Sequence, residues 1–207
     1  MEKYWLTGVL PAFRDGISPL TATRVISFDQ QYQSLCGFTQ EDVEAIVSRA
    51  LHHFPEKERD LALKALKHWY NGYKFCPMSG SEIPWLYNPQ LVFIHMEKMI
   101  SGSSHMPYLD EANAVHGAIV LSAVGDTGDV TIHHLMDMLS TSTNRTQARI
   151  FSELSYLELM QEGRSGEMTW SLLYYLGIVT HHQDKGYLCI PNFSMSRLVS
   201  PDLGISM

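Results

Sequence analysis

The chain has 207 residues, 45% of them hydrophobic and 18% charged, with 22 acidic against 15 basic side chains and a formal net charge of −7. That composition suits one globular domain or two small ones sharing a core, and aromatics and aliphatics spread from end to end exclude a disordered chain. The acidic balance, with no Lys/Arg run, counts against a surface built to neutralise phosphates.

Taken in chain order, "YWLTGVLPAF" (Tyr4 to Phe13) is a short apolar run of strand character closed by Pro11. A buried strand normally sits among siblings joined by crossover helices, so this one points to further chain upstream. The stretch after it is loop-like through Pro19 and weakly extended from Val25 to Phe28. "GFTQEDVEAIVSRALHHF" then predicts a helix. Thr39 is its N-cap, Glu41 and Asp42 are acidic in the first turn, and Phe38 with Val43 fits a hydrophobic staple. Val43, Ile46, Val47, Ala50, Leu51 and Phe54 supply the apolar stripe. A second helix is predicted from Glu56 to Tyr70, with Leu61, Ala62, Ala65, Leu66 and Trp69 as its stripe and Asn71-Gly72 as its stop.

"YKFCP" and "PWLY" predict a small hairpin, and Asn88-Pro89 opens a helix through Ile100. "SGSSHMP" (Ser101 to Pro107) is the most linker-like segment and the internal boundary. Helices are expected at 111–124, 130–140 and 146–161. A helix ending near Leu176, the strand "IVTHH", a turn at Gln183 to Gly186 and the strand "YLCIP" form the closing pattern of a winged-helix unit. The fold class is therefore mainly α with short β elements. Its divisions are 1–30, 31–104 and 105–207.

The motifs of catalysis are missing from the sequence. It holds no GxxxxGK[ST], no apolar strand ending in paired acids, no GxSxG, no HExxH and no Glu-x-Lys. Three adjacent His pairs, His52-His53, His133-His134 and His181-His182, invite a metal reading. Neighbours at i and i+1 diverge on a helix and on a strand, so solvated or half-buried histidines are expected, with one of the last pair facing out. Cys36, Cys76 and Cys189 form no CxxC pair and read as small buried hydrophobes in a reducing, intracellular compartment, cytoplasmic or nuclear. No run is long enough for a membrane span, and "MEKYWLTGVLPAF" has too short an apolar core for a secretory leader.

The aromatic stretch "WYNGYKFCPMSGSEIPWLYNP" has only Lys67 and Lys74 as nearby cations, so the expectation is a packed corner and not a base-stacking platform. Likewise the helix "TWSLLYYLG" carries no cation, which makes the wing a packing element before a nucleic-acid reader.

"LTGVLPAFRDGISPLT", "LCGFTQEDVEAIV", "WYNGYKF…LYNPQLVF" and "LLYYLGIVT…GYLCIPN", in that order, resemble the AAA-ATPase-like family. Its members are P-loop ATPases often fused to a PD-(D/E)XK nuclease-like domain. The resemblance covers about residues 4 to 195, and it is carried most by Gly-Phe-Thr, Trp-Tyr-Asn-Gly-Tyr and Tyr-Asn-Pro. It implies that "LTGV" is a late strand of an ATPase core and that the helical and winged segments are the lid that follows. On the same ground Thr7, Arg14 and Arg24 are the candidates to approach a nucleotide phosphate. The chain lacks the P-loop and the acidic Walker-B strand, so the resemblance implies a fragment or degenerate copy without autonomous catalysis. ATP and Mg would bind only with a P-loop core, supplied by the same protein or by a partner. The alternatives are a winged-helix nucleic-acid-binding module and an interaction subunit that completes another chain's ATPase core.

Overall fold

A capping box starts the first helix at the Gly-Phe-Thr step. In the computed structural model, which describes residues 24–77, 84–102, 129–140, 144–154 and 165–202, α1 spans Gln40–Ala50. The Thr39 hydroxyl accepts from the Asp42 amide at 3.2 Å, and the Asp42 carboxylate accepts from the Thr39 amide at 2.9 Å. The bond from the Thr39 backbone amide first, and the Thr39 hydroxyl donating to the same carboxylate at 2.7 Å second, hold the Asp42 carboxyl below its ordinary pKa. Thr39→Ala is expected to cost about 1 kcal/mol, read as a lower urea midpoint.

Val43, Val47 and Leu51 bury the inner face of α1, while Ile46 is half-buried and Ala50 exposed. The next helix, α2 (Glu56–Tyr70), buries Ala62, Leu66 and Tyr70, spaced by four. This corrects its expected stripe, because Leu61 stands 55% exposed. A helix packed on α1 and on a third helix presents the residues that meet both neighbours, and these lie one position on from Leu61.

The chain leaves α2 straight into a strand. β1 (Asn71–Tyr73) pairs antiparallel with β2 (Leu86–Tyr87), so the hairpin begins two residues earlier than the sequence suggests. Phe38 bridges Tyr87 on the other edge, its amide donating to the Tyr87 carbonyl at 3.2 Å and its carbonyl accepting from the Tyr87 amide at 2.8 Å. Asn88 caps α3 (Pro89–Ile100) by accepting from the amides of Gln90 and Leu91, with Pro89 in the first turn. These helices close around Leu66, Tyr70, Tyr87 and Val92.

A second cluster is built by α4 (Asp129–Ser140), β3 (Thr146–Gln147), α5 (Gly166–Tyr175), β4 (Thr180–His181), β5 (Tyr187–Cys189) and α6 (Phe193–Asp202). Its three strands are antiparallel in the order β3-β5-β4, with Thr146 opposite Leu188 and Thr180 opposite Cys189. Leu135, Leu173, Ile178, Leu188 and Val199 fill the core between the sheet and its helices. Mainly α with short β elements is thus the observed class: six helices and two small antiparallel sheets among the described residues.

Two expectations fail here. The helix expected at 146–161 is a strand at Thr146–Gln147 and irregular through Leu154, and the rest of that range lies outside the described residues. Sheet pairing overrides local helical periodicity at Thr146, whose β-branched side chain suits a strand. Cys36 is exposed. It sits in a bend beside Leu35, itself 56% exposed, where apolar flanks do not bring burial. The helix expected at 111–124 and the linker from Ser103 onward lie outside the described residues. Among the described residues no helix is long and apolar enough to cross a membrane.

Candidate functional site

Polar side chains gather where the two clusters meet. After β1 the chain stays extended, and Lys74 runs beside β4. The Lys74 amide donates to the Thr180 hydroxyl at 2.8 Å, and that hydroxyl donates back to the Lys74 carbonyl at 2.8 Å. The His181 amide also donates to the Lys74 carbonyl, at 3.4 Å. One residue on, the Phe75 carbonyl accepts from the Tyr174 hydroxyl at 3.0 Å. The Cys76 amide donates to the side-chain oxygen of Gln33 at 3.3 Å.

Lys74 is 1% exposed, with its ammonium 5.4 Å from the centre of the Trp85 ring. Burial pushes its pKa below the ordinary value, and the thiols of Cys76 and Cys189 act in the opposite direction. Trp85 offers a cation–π partner in that buried setting. His181 is buried among aromatic rings, 4.9 Å from Tyr174 and 5.7 Å from Phe28 between centroids. Burial first and the Lys74 charge second push its pKa down to about 4. Its Nε2 atom has no hydrogen-bond partner. Burial raises the Cys189 thiol to about 12 and the Tyr174 hydroxyl well above its usual range.

The chemistry of this cluster follows from those shifts. A thiol held protonated is a poor nucleophile, and a neutral imidazole without a carboxylate beside it is not arranged as a base. What these groups do well is hold the extended segment to β4. The corner glycine completes the joint: Gly72 has φ of +127°, and a Cβ there would lie 1.7 Å from the Pro191 carbonyl oxygen. On the other side Phe193 packs against His68 and Trp69, with centroids 4.8 Å apart in each pair.

Of the residues singled out to approach phosphate, one lies among the described residues. Thr7 and Arg14 lie outside the described residues. Arg24 is described; its guanidinium binds the Asp29 carboxylate at 2.5 Å with 72% of its side chain exposed. That pairing braces the segment around Asp29 and leaves most of the Arg24 side chain at the surface. Tyr70, Tyr73 and Tyr87 of the aromatic stretch are buried, and Trp69, Phe75 and Trp85 are half-buried, so its described part is a packed corner.

The histidine pairs do not converge. His52 and His53 are exposed, with the His52 ring on the Arg49 carbonyl. His133 and His134 are exposed, and His181 is buried while His182 is half-buried. Among the described residues no group of three His, Cys, Asp or Glu side chains is placed to hold a metal ion. Sequence reasoning missed Lys74, Thr180 and His181 as partners. The available signal was a lysine between Tyr73 and Phe75, flanked by ring residues that had to be buried.

Comparisons with protein-family models, with curated proteins and with solved structures gave no match to this chain.

Proposed function

We propose that this chain is the helical and winged lid portion of an AAA-ATPase-like protein, acting on a P-loop core and performing no catalysis of its own. The observation that carries this reading is the element order α4-β3-α5-β4-β5 with sheet order β3-β5-β4. Among the described residues that order of helix, strand, helix and hairpin, with the first strand beside the last, supports reading the second cluster as a winged-helix unit. The second cluster meets the helical unit along the Trp69–Tyr73 corner, which also carries part of the sequence resemblance. On this reading Thr7, Arg14 and Arg24 would approach phosphate only as the core positions them, and the compartment is intracellular.

Burial within the wing favours a packing role over nucleic-acid reading. Every residue of α5 from Met168 to Tyr174 is buried, leaving no donor to reach a base edge. Arg145 at the wing is bound to the Asp184 carboxylate and lies over the Tyr187 ring. Completing another chain's P-loop core is the same lid role delivered in trans.

The test is calorimetric titration of the folded chain with a non-hydrolysable ATP analogue and magnesium. No binding by the chain alone is expected, with binding restored when a P-loop core of the same family is added. Magnesium-dependent micromolar binding by the chain alone would overturn the reading, because the site would then be built from its own residues.

A further inference from the structure

A segment of eleven residues touches both clusters and the joint between them. At its start the Phe28 ring sits in the second cluster, with centroids 5.7 Å from Tyr174, 6.3 Å from Tyr175 and 5.7 Å from His181. In its middle Gln33, 6% exposed, accepts from the Cys76 amide at the joint. At its end Phe38, packed against the first cluster, pairs with its Tyr87 through two backbone bonds and lies edge-on to the exposed Phe93 at 5.4 Å. Between these anchors the chain is tightened by a 3-10 turn at Gln30–Tyr32, capped by the Asp29 side chain, which also binds Arg24.

We propose that residues 28–38 act as one strap, a mechanical element that couples the two clusters to each other. Three anchors on one short, locally braced segment share their strain. Each contact holds the geometry in which the others form, so freeing one lets the strap peel and lowers the worth of the next. Gln33 is the fulcrum, because its amide oxygen fixes the extended 74–76 segment that is itself bonded to β4. The unity of the strap does not rest on the function proposed above.

A double-mutant cycle tests it without nucleotide. Phe28→Leu and Phe38→Leu touch different clusters, and distant, independent sites add to within about twofold in the unfolding equilibrium constant. A strap predicts that the double variant loses at least about fivefold less than the product of the single losses, measured by urea unfolding. Additivity to within about twofold overturns the proposal. Should Phe38→Leu not fold, Phe28→Leu with Gln33→Leu gives the same reading with the same thresholds. Because nucleotide is absent throughout, additivity would leave the ATPase-lid reading standing, and autonomous ATP binding would leave the strap standing.

Discussion

Gly72→Ala is expected to cost about 4 kcal/mol or more, enough to leave little folded protein in a domain of ordinary stability. Two effects combine at this position. The backbone there has φ of +127°, a region costly for any residue with a Cβ. The added methyl would also lie 1.7 Å from the Pro191 carbonyl oxygen, which belongs to backbone and has no rotamer to give. Relief requires separating β1 from the turn between β5 and α6, which opens the joint that Lys74, Thr180 and Tyr174 maintain. Gly102→Ala separates the two effects. It also has positive φ, +67°, but among the described residues nothing lies within 4 Å of where its methyl would stand, so about 1 kcal/mol is expected. Urea unfolding of both variants decides the matter: equal losses would mean that the close approach to Pro191 is not what fixes this corner.

How far the sequence reveals such a corner depends on the range of the forces involved. Thr39, Asp42, Asn88 and Pro89 act within one helical turn, and the helices they open begin where those residues stand. The closing hairpin was legible for the same reason, its turn at Gln183 to Gly186 lying between two apolar runs. The strand at Thr146–Gln147 was not, because its partners Tyr187 and Leu188 are far along the chain and no local signal names them. Helix α6 also escaped notice, although Asn192 caps it, since Ser, Arg and Pro dilute its apolar period. The site followed the same rule. Packing of the aromatic stretch could be argued from composition, whereas the meeting of Lys74 with Thr180 joins residues 106 positions apart.

That joint also sets how the fold answers to acid. His181 has its pKa pushed down to about 4 by burial and by the Lys74 charge, against about 6.5 in an unfolded chain. Above about pH 6.5 the imidazole is neutral in both states and stability is unaffected by it. As pH falls below that value the unfolded chain takes up a proton that the folded chain refuses. Stability therefore declines, and the decline ends near about pH 4, when the folded form protonates too. The loss from this group is about 2 kcal/mol at pH 5 and about 3 kcal/mol by pH 4. Lys74 faces the ring from the extended segment and Tyr174 from α5, while Phe28 covers it with an apolar edge; none of these three neighbours is a carboxylate that could hold the proton. His182 is shifted in the same direction, by burial first and then by Arg145 and Lys74, so the whole protein's slope contains more than His181. The difference between wild type and His181→Phe isolates it. Urea midpoints of the two proteins at about pH 7.5 and about pH 5 should diverge, with the variant losing about 2 kcal/mol less on acidification. Parallel losses would mean that the His181 ring takes up its proton in the folded state as readily as in the unfolded chain, and that the joint is open to water.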